Sequence, residues 1–212
     1  MWRSKGGRVI GRLILVRHGE VDWNAEGRAI GQADPALNER GLRQAQRAGP
    51  EVVRRFDVRR VWTSDLRRCV ETAHPLRVPF EETALLREWD FGEWSGLLRS
   101  EIRLRWPAEA ERDWFGDPDF RPPGGERRSD LLERAARFAR EMSPLDGEGD
   151  AVVVGHGGSL RGLLAALLGL SNSTLSAFSF DNASISVIEQ SESGPRLSLL
   201  NYTDHLLDAG SP

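Results

Sequence analysis

Two histidines in this chain each follow a short apolar run and are each followed at once by glycine. Leu13-Ile14-Leu15-Val16 leads into Arg17-His18-Gly19-Glu20, and Val152-Val153-Val154 leads into Gly155-His156-Gly157-Gly158. Such a run reads as a buried strand, and open α/β sheets bind their ligands beyond the carboxyl ends of their strands. Two strands ending this way aim two imidazoles at one pocket. Arg17 beside His18, and Arg68 in the first turn of a helix after a second strand, bring guanidiniums whose paired donors match phosphate oxygens. A phosphoryl group is the natural occupant.

His18 is then the candidate nucleophile. A neutral imidazole attacks phosphorus when its other nitrogen is held by a backbone carbonyl, and Gly19 lets the backbone come that close. His156 would neutralise oxygens in the transition state. Glu88 is the candidate proton donor, with Trp89 and Trp94 as apolar neighbours that would favour its protonated form. Asp90 and Glu93 compete for that role. His74 and His205 lack the glycine and arginine setting and read as ordinary packed or solvated residues. Trp23 stands close enough to His18 in the chain to line the pocket, and Glu126 reads as a charge favouring the start of the following helix.

The elements that must position these groups follow from the apolar spacing. Val58 to Trp62 and Ser184 to Ile188 read as further strands. Glu39 to Arg55 carries Leu42, Ala45, Ala48 and Val52 at helical spacing. Ser64 is placed to cap a helix from Asp65 towards Leu76, closed by Pro75 and Pro79. Ser129 to Met142 and Ser159 to Leu168 are two more helices, with Pro144 to Asp150 turning the chain between the former and the last His strand. Val21 to Asn38 reads as a long loop. Leu97 to Gly125, with Trp106, Trp114, Phe115 and several prolines, reads as a lid. Strands alternating with helices predict a three-layer α/β/α sandwich with a mostly parallel central sheet.

The gross numbers narrow the partners. With 212 residues the whole chain, 1–212, is expected to form a single domain. A net charge of -3 gives no field that draws the protein to nucleic acid or an anionic membrane. Lys5 is the only lysine among 29 basic residues, so an isolated arginine says little about phosphate binding. The single cysteine, Cys69, excludes an internal disulfide and fits a reducing cytoplasm. Met1 to Val16 reads as a ragged tail plus a first strand, because Arg12 interrupts its apolar run, and Asp208 to Pro212 reads as frayed. No stretch reaches the roughly 20 apolar residues needed to span a bilayer.

These motifs together resemble the histidine phosphatase superfamily, also called phosphoglycerate mutase-like. Arg17-His18-Gly19-Glu20 with Trp23-Asn24 and Gly27-Arg28 is similar to its opening motif, and Ser64-x-Leu66-x-Arg68 with Glu71-Thr72-Ala73 to its second. Leu86-x-Glu88 with Phe91-Gly92-Glu93-Trp94-Ser95-Gly96 resembles the acid-bearing segment. Pro123-Gly124-Gly125-Glu126 and Gly155-His156-Gly157-Gly158-x-x-Arg161 complete the order, up to Asn182-Ala183-Ser184. The resemblance implies a phosphohistidine at His18, a phosphate pocket of Arg17, Arg68 and His156, Glu88 as proton donor, and no metal or cofactor. It also implies a small phosphate ester as partner, with Asn24, Glu20, Arg28, Gly157 and Trp23 as substrate contacts. Val21, Ile30 and Arg127 depart from the usual pattern and bear on substrate contacts.

Mutases of that family carry Glu-Arg-His-Tyr-Gly at the acid segment, where arginine and tyrosine help hold a carboxylate. Here the positions read Glu88-Trp89-Asp90-Phe91-Gly92, which removes a cation and a phenol hydroxyl. The expectation is a phosphatase. A phosphoglycerate mutase and a noncatalytic phosphate-binding module remain the alternatives. Arg99, Arg103 and Arg105 with Trp94, Trp106 and Trp114 are expected to shape the lid over the leaving group.

Overall fold

The computed structural model describes residues 11–112, 117–142, 149–191 and 193–207. Its strands are β1 (Leu13–Arg17), β2 (Val58–Ser64), β3 (Glu81–Thr83), β4 (Asp150–Gly155), β5 (Ile185–Ser191) and β6 (Gly194–Tyr202). They form one sheet in the order β3-β2-β4-β1-β5-β6. The four strands from β3 to β1 run parallel, and β5 and β6 join antiparallel.

Alternation along the central strands explains the three layers. Leu13, Leu15, Ala151 and Val153 face one side and pack under Phe138, Leu160, Leu163 and Leu164. These last belong to α6 (Arg128–Glu141) and α7 (Gly157–Leu168). Ile14, Val16, Val152 and Val154 face the other side, against Val52, Cys69 and Ala73. Those sit on α2 (Glu39–Arg55) and α3 (Arg67–Ala73). A strand apolar on both faces is stable only when both faces are covered, which is the α/β/α sandwich. No helix among the described residues is long and apolar enough to cross a membrane.

The segment expected as a lid, between Leu97 and Gly125, packs in a third apolar cluster together with residues before and after it. It carries α4 (Arg99–Arg105) and α5 (Pro107–Ala110). Trp89, Trp94, Ile102, Phe120 and Leu131 are buried together, with Trp106 packed against them. Trp94 is therefore core of the lid, and Arg103 and Arg105 are exposed. Trp114 and Phe115 lie outside the described residues, as do the tail through Ile10, most of the turn before β4, and the end from Asp208.

Several local expectations change. Val21 to Asn38 is not all loop, since α1 (Asp22–Ala25) makes one turn within it. The helix expected from Asp65 starts at Arg67 and ends at Ala73, with a 3-10 turn over His74–Leu76 holding Pro75. Ser64 does not cap it. Its hydroxyl accepts from Leu66 N and bonds His156 instead. Leu42 points outward at 48% exposure, because Gly41, Ala45, Ala48 and Val52 define the buried stripe of α2. β3 and β6 carried too little apolar alternation to be read, and each lies at a sheet edge.

The close approach of α2 to the first motif depends on Gly41. Its N–H donates to the Asn38 side chain at 2.8 Å, and a Cβ on it would lie 2.0 Å from the Glu20 carbonyl oxygen. In an open helix Gly→Ala gains about 1 kcal/mol. Here the backbone overlap wins, so Gly41→Ala should destabilise by about 2 kcal/mol or more. Urea unfolding checks the sign. A midpoint at or above wild type would mean that this packing does not constrain the loop.

Candidate active site

β1 and β4 pair with Arg17 opposite Gly155, and the His18 N–H donates to Gly155 O at 3.0 Å. The two histidines leave neighbouring strands at one level, and their ring centroids lie 5.1 Å apart. Both are buried.

His18 Nδ1 lies 2.6 Å from Gly19 O. That carbonyl's own peptide is held from its other side, where Glu20 N donates to Gln44 Oε1 at 2.8 Å, and the preceding peptide is held by Gly19 N donating to Thr72 Oγ1 at 2.9 Å while Thr72 Oγ1 donates to Arg68 O. Burial pushes the imidazole well below the ordinary histidine value, and the charges of Arg68 and Arg17 push the same way. The ring is neutral at pH 7, its one proton sits on Nδ1, and Nε2 keeps its lone pair. This geometry suits a nucleophile.

His156 is held by different partners. Arg68 Nε donates to its Nδ1 at 3.2 Å, so the ring proton is on Nε2, 3.0 Å from Ser64 Oγ. Burial again lowers its pKa strongly, followed by Arg68, His18 and Arg17. Cys69 Sγ is 3.3 Å from the same Nε2, and burial pushes its thiol up, so it packs rather than reacts.

Four guanidiniums converge here. Arg68 is fully buried and donates to Gly31 O and Ala33 O as well as to His156. Arg17 donates to Phe180 O at 2.6 Å, while its buried Nε has no hydrogen-bond partner among the described residues. Arg161 donates to Phe178 O, and Arg128 is buried with its guanidinium over the Trp89 ring. Burial lowers the pKa of each, and the charge of Glu88 opposes that lowering in all four. Glu88 is their shared counter-charge.

Glu88 accepts from Trp89 N at 2.9 Å and from Gly158 N, in the first turn of α7, at 3.0 Å. A Cβ on Gly158 would sit 2.1 Å from its Oε1, so this carboxylate fits only against glycine. The indoles expected to surround it face the lid core instead. Its backbone is braced by Arg134, which donates to Leu85 O, Arg87 O and Glu88 O while pairing with Glu126 at 2.7 Å. Glu126 thus serves this brace rather than the start of α6. Asp90 is spent on Gly92 N, and Glu93 is exposed.

The expected substrate contacts divide. Gly157 lies beside the cluster, since a Cβ there would be 3.3 Å from Arg161 Nη1 and 3.9 Å from Glu88 Oε2. Asn24 reaches it through Asn182, which also bonds His18 O. Glu20 is engaged by Asn38 and Arg40, and Trp23 packs with Val21, Ile30, Leu37 and Ala45. Arg28 straps its loop to the lid through Gly96 O and Glu101. Those three hold the first loop. His74 is exposed against Phe80, and His205 Nε2 donates to Ala183 O. Thr72, Arg161 and Asn182 stand within the motifs that carry the family resemblance but had no role assigned from sequence, and nothing in the sequence singled out Arg128 or Arg134.

The family described as histidine phosphatase superfamily (branch 1) matches residues 13–203, nearly the full described span.

The chain belongs to the histidine phosphatase superfamily.

Within the superfamily it is similar to phosphoserine phosphatase 1 of Hydrogenobacter thermophilus, 36% identical over 92% of this chain and 94% of that protein. It is also similar to a 2,3-bisphosphoglycerate-dependent phosphoglycerate mutase of Beijerinckia indica, 35% identical over 77% of this chain and 84% of the mutase. The solved structure of a mycobacterial glucosyl-3-phosphoglycerate phosphatase superposes with a TM-score of 0.79 at 30% identity, covering 92% of this chain and all of that one. Phosphatases and mutases of the superfamily thus both lie within reach of this sequence. Among the described residues, no group of three or more His, Cys, Asp or Glu is placed to hold a metal.

The two neutral imidazoles make stability depend on pH. In the unfolded chain both titrate near 6.5, and in the folded protein well below it. Below pH 6.5 the unfolded state takes up protons that the folded state refuses, so acidification favours unfolding. Each ring then costs about 1.4 kcal/mol per pH unit until its folded pKa is reached. Urea midpoints measured from about pH 7.5 to pH 5 should fall on this side, and His18→Asn/His156→Asn should flatten the slope. Equal slopes in the two proteins would mean that the rings are not held neutral.

Proposed function

We propose that the protein is a metal-independent phosphatase of small phosphomonoesters that works through a phosphohistidine at His18. The ester phosphate is held by Arg17, Arg68 and the Asn24 amide, with His156 orienting the Arg68 guanidinium through its Nδ1. The Nε2 lone pair of His18 attacks phosphorus, the bond to the ester oxygen breaks, and that oxygen takes a proton from Glu88. Water then attacks the phosphohistidine and passes a proton to the Glu88 carboxylate. The P–N bond breaks, and phosphate and neutral His18 are released. Charge gathering on the phosphoryl oxygens meets cations already in place, which is the electrostatic part of the catalysis.

One observation favours hydrolysis over transfer between positions of phosphoglycerate. The two positions where mutases present arginine and tyrosine to a carboxylate are here Trp89 and Phe91. Their rings pack 5.2 Å apart, and the Trp89 indole N–H donates to Glu126 O. Both side chains are committed to the lid. The similar phosphatases are named for phosphoserine and glucosyl-3-phosphoglycerate. Those esters head the test panel, with 3-phosphoglycerate, a sugar phosphate, a nucleoside phosphate and an aryl phosphate.

Phosphate release in EDTA from at least one ester, without isomerisation of 3-phosphoglycerate, is the expected result. Isomerisation with little free phosphate would make the protein a mutase. Silence on every ester, with orthovanadate still bound, would leave a binding module. His18→Ala should lower turnover at least 1,000-fold, roughly the loss expected on removing a nucleophile. Glu88→Gln should slow esters with poor leaving groups most and an aryl phosphate least, because only the former need the proton. A uniform effect of Glu88→Gln across leaving groups would remove Glu88 from the acid role.

A further inference from the structure

Two carboxamides link the backbone of His18 to the loop after it. Asn24 Oδ1 accepts from Val21 N at 3.2 Å and from Asn182 Nδ2 at 3.3 Å, and the same Asn182 Nδ2 donates to His18 O at 3.1 Å. The ends of this chain are backbone groups with fixed roles. Val21 N–H can only donate, which turns the Asn24 oxygen towards it. His18 C=O can only accept, which turns the Asn182 nitrogen towards it. With both ends set, neither amide can flip without placing oxygen against oxygen or N–H against N–H. The Asn24 NH2 group is the end that remains, it has no protein acceptor among the described residues, and Asn24 is half-buried.

The turn carrying Asn182 is built rigidly. Ala183 is fully buried at φ +58°, a left-handed conformation that costs a non-glycine residue about 1 kcal/mol. Its N–H is shared between Arg17 O and His18 O, and its carbonyl accepts from His205 Nε2. Just before it, Asp181 and Asn201 exchange two hydrogen bonds, Asp181 N to Asn201 Oδ1 and Asn201 Nδ2 to Asp181 Oδ2. Strain of this kind persists only where surrounding contacts over-determine it. The turn therefore holds Asn182 against His18 as a fixed reference point.

We propose that Asn182 is a positioning residue that acts through Asn24, fixing the Asn24 carboxamide so that its N–H donors, and never its oxygen, meet the bound anion. His18 itself is not the target of this effect. Its carbonyl keeps the Ala183 N–H when the Asn182 amide is removed. Without Asn182, Asn24 loses one of the two donors that choose its orientation, and a flipped amide would turn oxygen towards a phosphoryl oxygen. For its kinetic readout this inference rests on the phosphatase reading above, and for its binding readout it does not.

A double-mutant cycle tests it with wild type, Asn24→Ala, Asn182→Ala and the double variant. Orthovanadate binding is measured by calorimetry and phosphate release is measured from an aryl phosphate ester. Each single substitution should weaken vanadate binding and lower kcat/KM about tenfold, the scale of one hydrogen bond to a charged group. The double variant should match Asn24→Ala within about twofold. Asn182→Asp keeps the shape but sets an oxygen against Asn24 Oδ1 and His18 O, so it should cost at least as much as alanine. If the alanine variant loses its thermal transition, Asn182→Ser and Asn182→Asp carry the same cycle. Losses that multiply in the double variant, or a wild-type-like Asn182→Ala, would overturn the proposal. Wild type that binds vanadate but releases no phosphate from any ester would overturn the phosphatase reading and leave the binding cycle to decide Asn182. Wild type that does neither would overturn both.

Discussion

The site depends on one register. Because β1 and β4 are parallel neighbours with Arg17 opposite Gly155, the residues after each strand emerge side by side, and the 5.1 Å between the imidazoles follows. A slip of one residue would turn Leu13 and Leu15 to the face now held by Ile14 and Val16, and would carry His18 away from His156. Burial of both sheet faces forbids that slip. The packing of the core and the geometry of the two histidines are thus one constraint, enforced by apolar residues that never touch a ligand.

Charge is the second layer of the same design. Four guanidiniums, those of Arg68 and Arg128 fully buried and those of Arg17 and Arg161 half-buried, share the charge of Glu88, and Arg68 and Arg17 present their positive charge to both histidines. That field, with desolvation, keeps both histidines neutral, which is the state a nucleophilic imidazole requires. The arginines are held in place by carbonyl oxygens: Gly31, Ala33, Phe178 and Phe180 each accept from one of them. Donors fixed this way need no reorganisation when negative charge moves onto them. Glu88 is fixed too, through two amide N–H groups and a backbone that Arg134 grips at the carbonyls of Ala84, Leu85, Arg87 and Glu88.

How much of this the chain discloses depends on how local the signal is. The two strand-glycine-histidine runs are legible because period, glycine and histidine sit within a few residues of one another, and they place the sheet edge correctly. α2 is legible to its ends, although its spacing misassigned Leu42, since Gly41 and not a larger residue faces Glu20. β3 and β6 were missed because edge strands bury little and show weak alternation. Ser64 looked like a helix cap because a serine before a helix usually is one. Its pairing with His156 depends on strands 92 residues apart in the chain. Arg128 and Arg134 share that difficulty, since nothing near them in sequence announces their place beside Trp89 and Glu88, whereas Thr72 and Asn182 lie in motifs of the resemblance whose contacts with Gly19 and His18 only the fold reveals.

The same division bears on specificity. The groups proposed for bond breaking come from the ends of β1 and β4, the first turn of α3 and the loop that carries Glu88, whose carboxylate is held by an N–H in the first turn of α7. The segment between Leu97 and Gly125 packs in a cluster with Trp89, Trp94 and Leu131 of α6, and backbone hydrogen bonds tie it to the first loop and to the start of α6. Arg28 to Gly96 and Trp23 against Gly96 tie it to the first loop, and Trp89 to Glu126 ties it to the acid segment. Sequences about one-third identical to this one carry both phosphatase and mutase names, so the fold by itself does not choose between the two reactions. In this chain Trp89 and Phe91 belong at once to the acid segment and to the cluster beneath the segment 97–125, so a substitution there acts on both.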